Sequence, residues 1–450
     1  IMKRNAPVKT AELIKIAIPC LIEQFLLVVA GIISTAIVGR LGKAELTAAT
    51  MCANLVGWLQ CMYVGLSVGS TIVVGRIWGA GDKDGVKDVF DQSLKLNIMI
   101  SVTIMIILLV LKKQIIGLFF GGAEQSVLDN MYLYMPYCMA SMPATAFTTI
   151  VGSAQRGTGD NKTSLVGTAS LNISNVILTP ILIYGVSWLN IPAMGLTGAG
   201  IAFVSVRYIA VICLTIYIFA TKKPILPRRW NLKLKKETIL RIIHVAVPSA
   251  VEQFLFQGGF VMLQTVLITF GTIFQAGYQI GANLNGIICV PSQAISVATT
   301  ALISQALGSN SLDDAEEIVK ANKFIIWSVF SVIGVLFFFG APLLVKLYTN
   351  ETEVIQEAVF FVRLFAVESF AVGYMQAMTG VLKGAGDVRY TAITSAVALW
   401  GGRIFGTWIL AKITGNGHVA MAIGLSLDFF SRAFLYSRKV KKGDWLHIRV

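Results

Sequence analysis

Long stretches without a single charge constrain this chain more than any other feature. Ile98 to Leu111 and Ile325 to Leu344 are two such runs, and others of comparable length recur from one end to the other. About 20 consecutive apolar residues cross a hydrocarbon core as a helix, because only a helix satisfies its own backbone groups there. Of 450 residues, 56% are apolar and 13% charged, against about 25% charged in a soluble domain. That excludes an ordinary cytosolic enzyme. The chain reads as an all-α polytopic membrane protein.

Twelve crossings are expected, near 12–38, 46–74, 92–111, 131–152, 164–184 and 196–220, then 242–270, 274–304, 322–347, 355–381, 390–411 and 418–437. Lys3, Arg4 and Lys9 precede a first apolar run too long for a cleaved signal, so that crossing is expected to remain. An even number of crossings puts both termini on one side. The net charge of +14 sits in short connections, chiefly Lys222, Lys223, Arg228, Arg229, Lys233, Lys235, Lys236 and Arg241, with Arg438, Lys439, Lys441 and Lys442 near the end. The positive-inside rule makes those segments cytoplasmic, so the charge reads as topology and not as a nucleic-acid surface. Cys20, Cys52, Cys61, Cys138, Cys213 and Cys289 lie inside apolar segments without CxxC spacing. They imply neither disulfides nor a metal site.

The sequence repeats itself. Pro19-Cys-Leu-Ile-Glu23-Gln24-Phe25-Leu26 recurs 229 residues later as Pro248-Ser-Ala-Val-Glu252-Gln253-Phe254-Leu255, and Ala53-Asn54-Leu55 recurs at the same offset as Ala282-Asn283-Leu284. Arg156-Gly157-Thr-Gly159-Asp160 returns as Lys383-Gly384-Ala-Gly386-Asp387, the offset having drifted to 227. Two halves of six crossings each follow: an N-lobe over 1–220, a basic linker over 221–241 and a C-lobe over 242–450. Six is even, so the halves are parallel repeats about an axis along the membrane normal. Two bundles with a site between them near the midplane form the architecture of alternating-access secondary transporters.

With Pro19 and Pro248 early in crossings 1 and 7, Ser304-Gln-Ala-Leu-Gly308 closing crossing 8, the Lys383 to Asp387 loop, Asp428-Phe-Phe-Ser-Arg432 and Gly443-Asp-Trp445, the chain resembles the multidrug and toxic compound extrusion (MATE) family over essentially its whole length. The resemblance implies export of organic, often cationic, compounds driven by inward flow of H+ or Na+. It also implies acids that this chain lacks or has moved. The N-lobe acid pair would fall at Ser34 and Thr179, four residues after Asn175. The C-lobe acids would fall near Gln257 and Val372, whereas the acids present are Glu252 and Glu368. Each is displaced by about one turn, ~5 Å along its helix.

Glu252 and Glu368 are therefore the expected cation-coupling pair: an ionisable group in hydrocarbon persists mainly where it faces a cavity, a partner or a pathway. Two such carboxyls could exchange a proton or give oxygen ligands to Na+. As the bland alternative, each is a neutral hydrogen-bonding strut. Glu23 is the repeat-mate of Glu252; it either couples, meets substrate or balances Arg207 in crossing 6. Arg403 in crossing 11 needs a counter-charge too, and Glu368 is one candidate. Asp428 and Arg432, spaced i,i+4, read as a structural pair. Asp160 and Asp387 precede helices and read as N-caps. Asn54, Asn283, Gln24 and Gln253 serve as interhelical glue or as substrate contacts, with Asn175 and Gln257 further candidates for coupling or substrate. Phe254, Phe256, Met262, Tyr278 and Trp400 could line an adaptable cavity for flat cations, against the simpler role of packing.

No GxxxxGK[ST] loop is present for an ATP-driven pump, and His244, His418 and His447 are scattered without HExxH. No enzyme, cofactor or resident metal is expected. The expected activity is antiport of organic cations against H+ or Na+ by a monomer in the inner (cell) membrane, both termini cytoplasmic. The main rival is a flippase for lipid-linked oligosaccharides of the same superfamily, for which a more basic cavity and fourteen helices would be usual.

Overall fold

The structure, a computed structural model, describes residues 6–120, 124–186, 191–221 and 235–448. Lys3, Arg4 and most of the basic linker, including Lys222, Lys223, Arg228, Arg229 and Lys233, lie outside the described residues. Those residues form helices throughout: α1 Ala6–Gly39, α2 Lys43–Gly79, α3 Lys83–Val110, α4 Lys112–Phe120, α5 Gln125–Ala140, α6 Met142–Gly157, α7 Asn161–Tyr184, α8 Gly195–Ala220, α9 Lys236–Ile268, α10 Thr272–Gly308, α11 Leu312–Lys346, α12 Thr352–Gly384, α13 Val388–Val397, α14 Gly406–Thr414 and α15 Gly417–Lys442. A π-helical stretch, Ala398–Phe405, joins α13 to α14.

Among the described residues, eleven helical spans are long and apolar enough to cross a membrane. The crossing expected over 131–152 is the exception, because it is divided at Ser141 into α5 and α6 of 16 residues each. Pro143 stands in the first turn of α6, where its missing N–H costs no hydrogen bond. Elsewhere the helices overrun the expected crossings. α9, for example, starts at Lys236 rather than 242, so its first turns extend beyond the apolar run.

The helices gather into two compact units. One comprises Ile1–Gln24, Gly75–Gly81 and Val251–Val450; the other comprises Phe25–Val74 and Asp82–Ala250. Of the eleven spans, α2, α10 and α12 are mostly buried against protein, while the other eight turn most of their surface outward. In the first unit α10 and α12 form the heart of a core that includes Tyr278, Phe330, Phe361, Phe365 and Met378. In the second, α2 packs through Cys52, Val56 and Tyr63 on Met131, Tyr134, Met135 and Cys138 of α5.

The internal repeat reappears as repeated contacts. Thr71 Oγ1 donates to the Ser153 carbonyl at 2.9 Å, and its mate Thr300 donates to the Gly380 carbonyl at 3.2 Å. Gly157 lies against the Thr71 carbonyl as Gly384 lies against that of Thr300, so close that a side chain at either would collide with backbone. Gly159 and Gly386 then turn the chain with φ of 86° and 90°, a region open to glycine. Within the first unit the ends of α2 and α10 cross reciprocally: Gly79 meets the Gln305 carbonyl and Gly308 meets that of Arg76. The Arg76 guanidinium fastens this crossing, Nη2 donating to the carbonyls of Ala385 at 2.8 Å and Ile448 at 3.0 Å.

Candidate functional site

Four charged side chains lie buried together between α12, the π-helical stretch and α15. Asp428 is fully buried and forms ion pairs with Arg403 Nη2 and Arg432 Nη2, each at 2.7 Å. The ring of Phe429 lies beside both guanidinium groups, 4.5 Å from Arg403 and 5.8 Å from Arg432. Glu368, 1% exposed, accepts the Ser426 hydroxyl at 2.9 Å and faces Arg403 and Asp428. Asp428 and Arg432 thus pair as their i,i+4 spacing indicates. The counter-charge of Arg403 is corrected: it pairs with Asp428 and not with Glu368, because the π turn brings it to the α15 face.

Glu252 has different partners. Its Oε2 holds Lys383 Nζ at 2.8 Å, both side chains being mostly buried, and its Oε1 accepts the Ser395 hydroxyl at 3.2 Å. Ser395 also meets the Tyr436 hydroxyl at 2.9 Å, and Tyr436 donates to the Thr391 carbonyl at 3.0 Å. Ser395 and Tyr436 each carry one hydroxyl proton, so this chain can rotate its donors if Glu252 gains a proton and becomes a donor itself. Among the described residues no hydrogen bond joins Glu252 to Glu368. Lys383, missed as a partner, sits at the end of α12. Its long stem lets a residue at a helix end reach Glu252 deep in α9.

Other expectations need correction. Arg207, near the middle of α8, bonds to groups of its own unit. Its Nε donates to Thr145 Oγ1 at 3.2 Å, its Nη1 donates to the Phe203 carbonyl at 2.8 Å, and its guanidinium lies 3.4 Å from the centre of the Phe203 ring. Glu23 itself is buried in α1. Tyr278 is no cavity residue; it is buried edge-on against Phe361. Trp400 is tied to α9 by its indole N–H, which donates to the Leu255 carbonyl at 3.2 Å. Phe254, Phe256 and Met262 are exposed, as is Gln257, while Gln253 is half-buried. Asp160 and Asp387 do precede helices, but neither caps a backbone N–H: Asp160 accepts the Thr163 hydroxyl at 2.6 Å and Asp387 pairs with Lys439 at 3.6 Å. At the positions of the absent N-lobe acid pair, Thr179 donates to Asn175 Oδ1 at 2.6 Å and Ser34 is half-buried.

Asn54 and Asn283 are not interhelical glue. Both side chains are exposed. On α10, Gln279, Asn283, Gly286 and Gln293 share one exposed face, and on α2 Thr47, Thr50 and Asn54 do the same with half-buried Gly57 continuing the line; Thr50, Asn54 and Gly57 are the repeat-mates of Gln279, Asn283 and Gly286. A Cβ at Gly57 or Gly286 would meet nothing. Gln264 of α9 extends the α10 stripe, donating to Gln279 at 3.2 Å and accepting from Gln275 at 3.3 Å. These stripes lie on two of the three helices otherwise most buried. Amides facing hydrocarbon would lack partners, so such a face suits water. The period of the stripe was visible in the sequence; the side it faced was not.

Known proteins agree with this architecture. The chain is 25% identical to a probable multidrug resistance protein NorM of Thermotoga maritima over 98% of this chain and 94% of that protein. It is 22% identical to a probable multidrug resistance protein YoeA of Bacillus subtilis, covering 95% and 92%. Its fold matches the crystal structure of a mutant of the Vibrio cholerae MATE transporter VcmN with a TM-score of 0.88 at 20% identity, covering 98% and 99%. The MatE family model matches twice, over residues 19–181 and 248–409, each match starting at a proline of the repeated Pro-x-x-x-Glu-Gln-Phe-Leu segment. The chain belongs to the MatE family of membrane transporters.

Proposed function

We propose that this protein is a secondary active antiporter that exports organic, chiefly cationic, compounds in exchange for H+ or Na+. In this reading it works as a monomer in the cell membrane with both termini cytoplasmic, its lobes being 1–220 and 242–450 with 221–241 as linker. The observation that carries the reading is a pair of polar stripes, Thr47-Thr50-Asn54-Gly57 and Gln279-Asn283-Gly286-Gln293, which share three repeat-mated positions, Thr50 with Gln279, Asn54 with Asn283 and Gly57 with Gly286, and lie largely exposed on otherwise buried helices. A polar face on an inner helix of each half suits a cargo pathway through a membrane protein.

The buried charges supply a rationale for coupling. Asp428 with two guanidinium groups carries a formal charge of +1, which ionised Glu368 balances. A proton or Na+ on Glu368 leaves that positive charge uncompensated and disfavours a cationic cargo. Glu252 offers a second switch: in its ionised form it holds Lys383, and in its protonated form it releases an ammonium group. Because cargo and ion affect one another's binding equally, each can drive the other. The test is uptake of a fluorescent cation into proteoliposomes under separately imposed pH and Na+ gradients. Accumulation driven by neither gradient would overturn the proposal.

A further inference from the structure

A groove of about 220 Å³ lies between the first turns of α11 and the end of α15 with the segment that follows it, entirely within the first unit. Buried Trp445 and its neighbour Leu446 belong to its apolar lining. Lys320 and Lys323 of α11 and Lys441 of α15 line it too, three ammonium groups against the one carboxylate of Glu316. None of these lysines has an ion-pair or hydrogen-bond partner among the described residues. Their neighbours differ: Lys439 pairs with Asp387 and Asp444, and Lys442 with Asp444. Of the other acids early in α11, Asp314 lines a separate cleft with Glu12, and Glu317 turns one carboxyl oxygen into the protein.

The depth of the groove follows from the sequence. Lys323 is the last charge before a charge-free run from Phe324 to Val345, about 33 Å long at 1.5 Å per residue, which matches a hydrocarbon core of about 30 Å. The lysines therefore stand at the level of the lipid headgroups. From there one face of α11 continues into the membrane, since Lys320, Lys323 and Trp327 recur at helical spacing with Phe324 beside them. Phe324 is 67% exposed and Trp327 60%, and Trp327 is steadied by the Phe370 ring of α12, 5.8 Å away. An aromatic side chain just inside the boundary and unpaired cations just outside it match an anionic headgroup above its acyl chains.

From this arrangement we infer that the groove binds one anionic phospholipid, its phosphate among Lys320, Lys323 and Lys441 and its acyl chains along Phe324 and Trp327. A lipid fits better than a free anion because the cations lead directly onto exposed apolar surface, which a free phosphate would leave unused. Bound there, the lipid ties the start of α11 to the end of α15. The inference is independent of cargo and of the coupling ion.

The test uses the protein in phosphatidylcholine nanodiscs containing a rising fraction of phosphatidylglycerol, one lipid or the other being brominated near the top of its acyl chains, with quenching of tryptophan fluorescence as the readout. Brominated phosphatidylglycerol is expected to quench at a lower fraction than brominated phosphatidylcholine, and this excess should disappear in Trp327→Phe. A lysine at a charged membrane surface changes affinity about fivefold. Lys320→Gln, Lys323→Gln and Lys441→Gln should therefore each weaken phosphatidylglycerol binding about fivefold, and all three together should abolish the preference. Lys442→Gln, whose lysine pairs with Asp444, should leave it unchanged. Equal quenching by the two lipids in the wild type, or a preference that survives in the triple variant or in Trp327→Phe, would overturn the inference. Displacement of the quenching lipid by inorganic phosphate would reassign the lysines to a free anion and overturn it as well.

Discussion

Replacing Asp428 with Asn tests the buried charge cluster most directly. The substitution preserves shape while removing the carboxylate that holds Arg403 and Arg432, each at 2.7 Å. With charge centres about 4 Å apart and an effective dielectric of about 20, each pair contributes about 4 kcal/mol of gross attraction. Two guanidinium groups then remain buried with only the nearby Glu368 to offset them. The amide oxygen can still accept from one, and a hydrogen bond to a charged group recovers about 1.5–3 kcal/mol. The expected net loss is about 3–5 kcal/mol, the range for removing one partner of a buried pair. The measurement is equilibrium unfolding in mixed micelles titrated with a denaturing detergent. Replacing all three residues together, Asp428→Leu with Arg403→Met and Arg432→Met, should restore much of the loss, because no unpaired charge is left. A loss below about 1 kcal/mol for Asp428→Asn would mean that the cluster is already well solvated, and would refute its treatment as a buried, mutually dependent set of charges.

Glu252→Gln and Glu368→Gln should each fold and bind cargo yet lose gradient-driven transport in proteoliposomes; wild-type rates in both would place coupling elsewhere. Lys383→Met leaves the Glu252 carboxylate mostly buried without its ammonium partner, so it should lower stability in a detergent melt by a few kcal/mol, and an unchanged melt would argue that the pair is already solvated. Gly384→Val should cost several kcal/mol in a thermal or detergent melt, since its Cβ would fall 2.7 Å from the Thr300 carbonyl oxygen, whereas Gly57→Leu should leave stability nearly unchanged and lower the transport rate by obstructing the polar stripe.

Much of the fold was legible because membrane crossings are written in composition. Charge-free runs located eleven of the expected crossings, and the offset repeat of Pro19-to-Leu26 in Pro248-to-Leu255 announced the duplication. The break at Ser141 was harder to read, since an apolar segment with Pro143 in its first turns suits a kinked helix as well as two short ones. Within the site, Asp428 and Arg432 were readable because both sit on one helix face. Arg403 and Lys383 were not, because their partners lie on other helices and their reach depends on a π turn and a long side chain. The exposure of Asn54 and Asn283 depends on tertiary packing, which a pattern of polar residues in apolar helices leaves open.

The π-helical stretch Ala398–Phe405 has a mechanical consequence of its own. Gly406 N–H reaches back five residues to the Gly401 carbonyl, so this turn contains more chain than an α turn of equal height. Its counterpart in the first half, 171–178, lies inside α7 as ordinary α-helix. Among the described residues, the second half alone therefore holds slack within a membrane-spanning helix. If that slack migrates by one residue along the helix, the residue it passes swings by about 100° around the axis, the angular step of an α-helix with 3.6 residues per turn. Arg403 lies within the segment, so such a step could turn its guanidinium away from Asp428 while the helix stayed hydrogen-bonded. A duplicated scaffold would in that way carry a gear in one half and a plain shaft in the other.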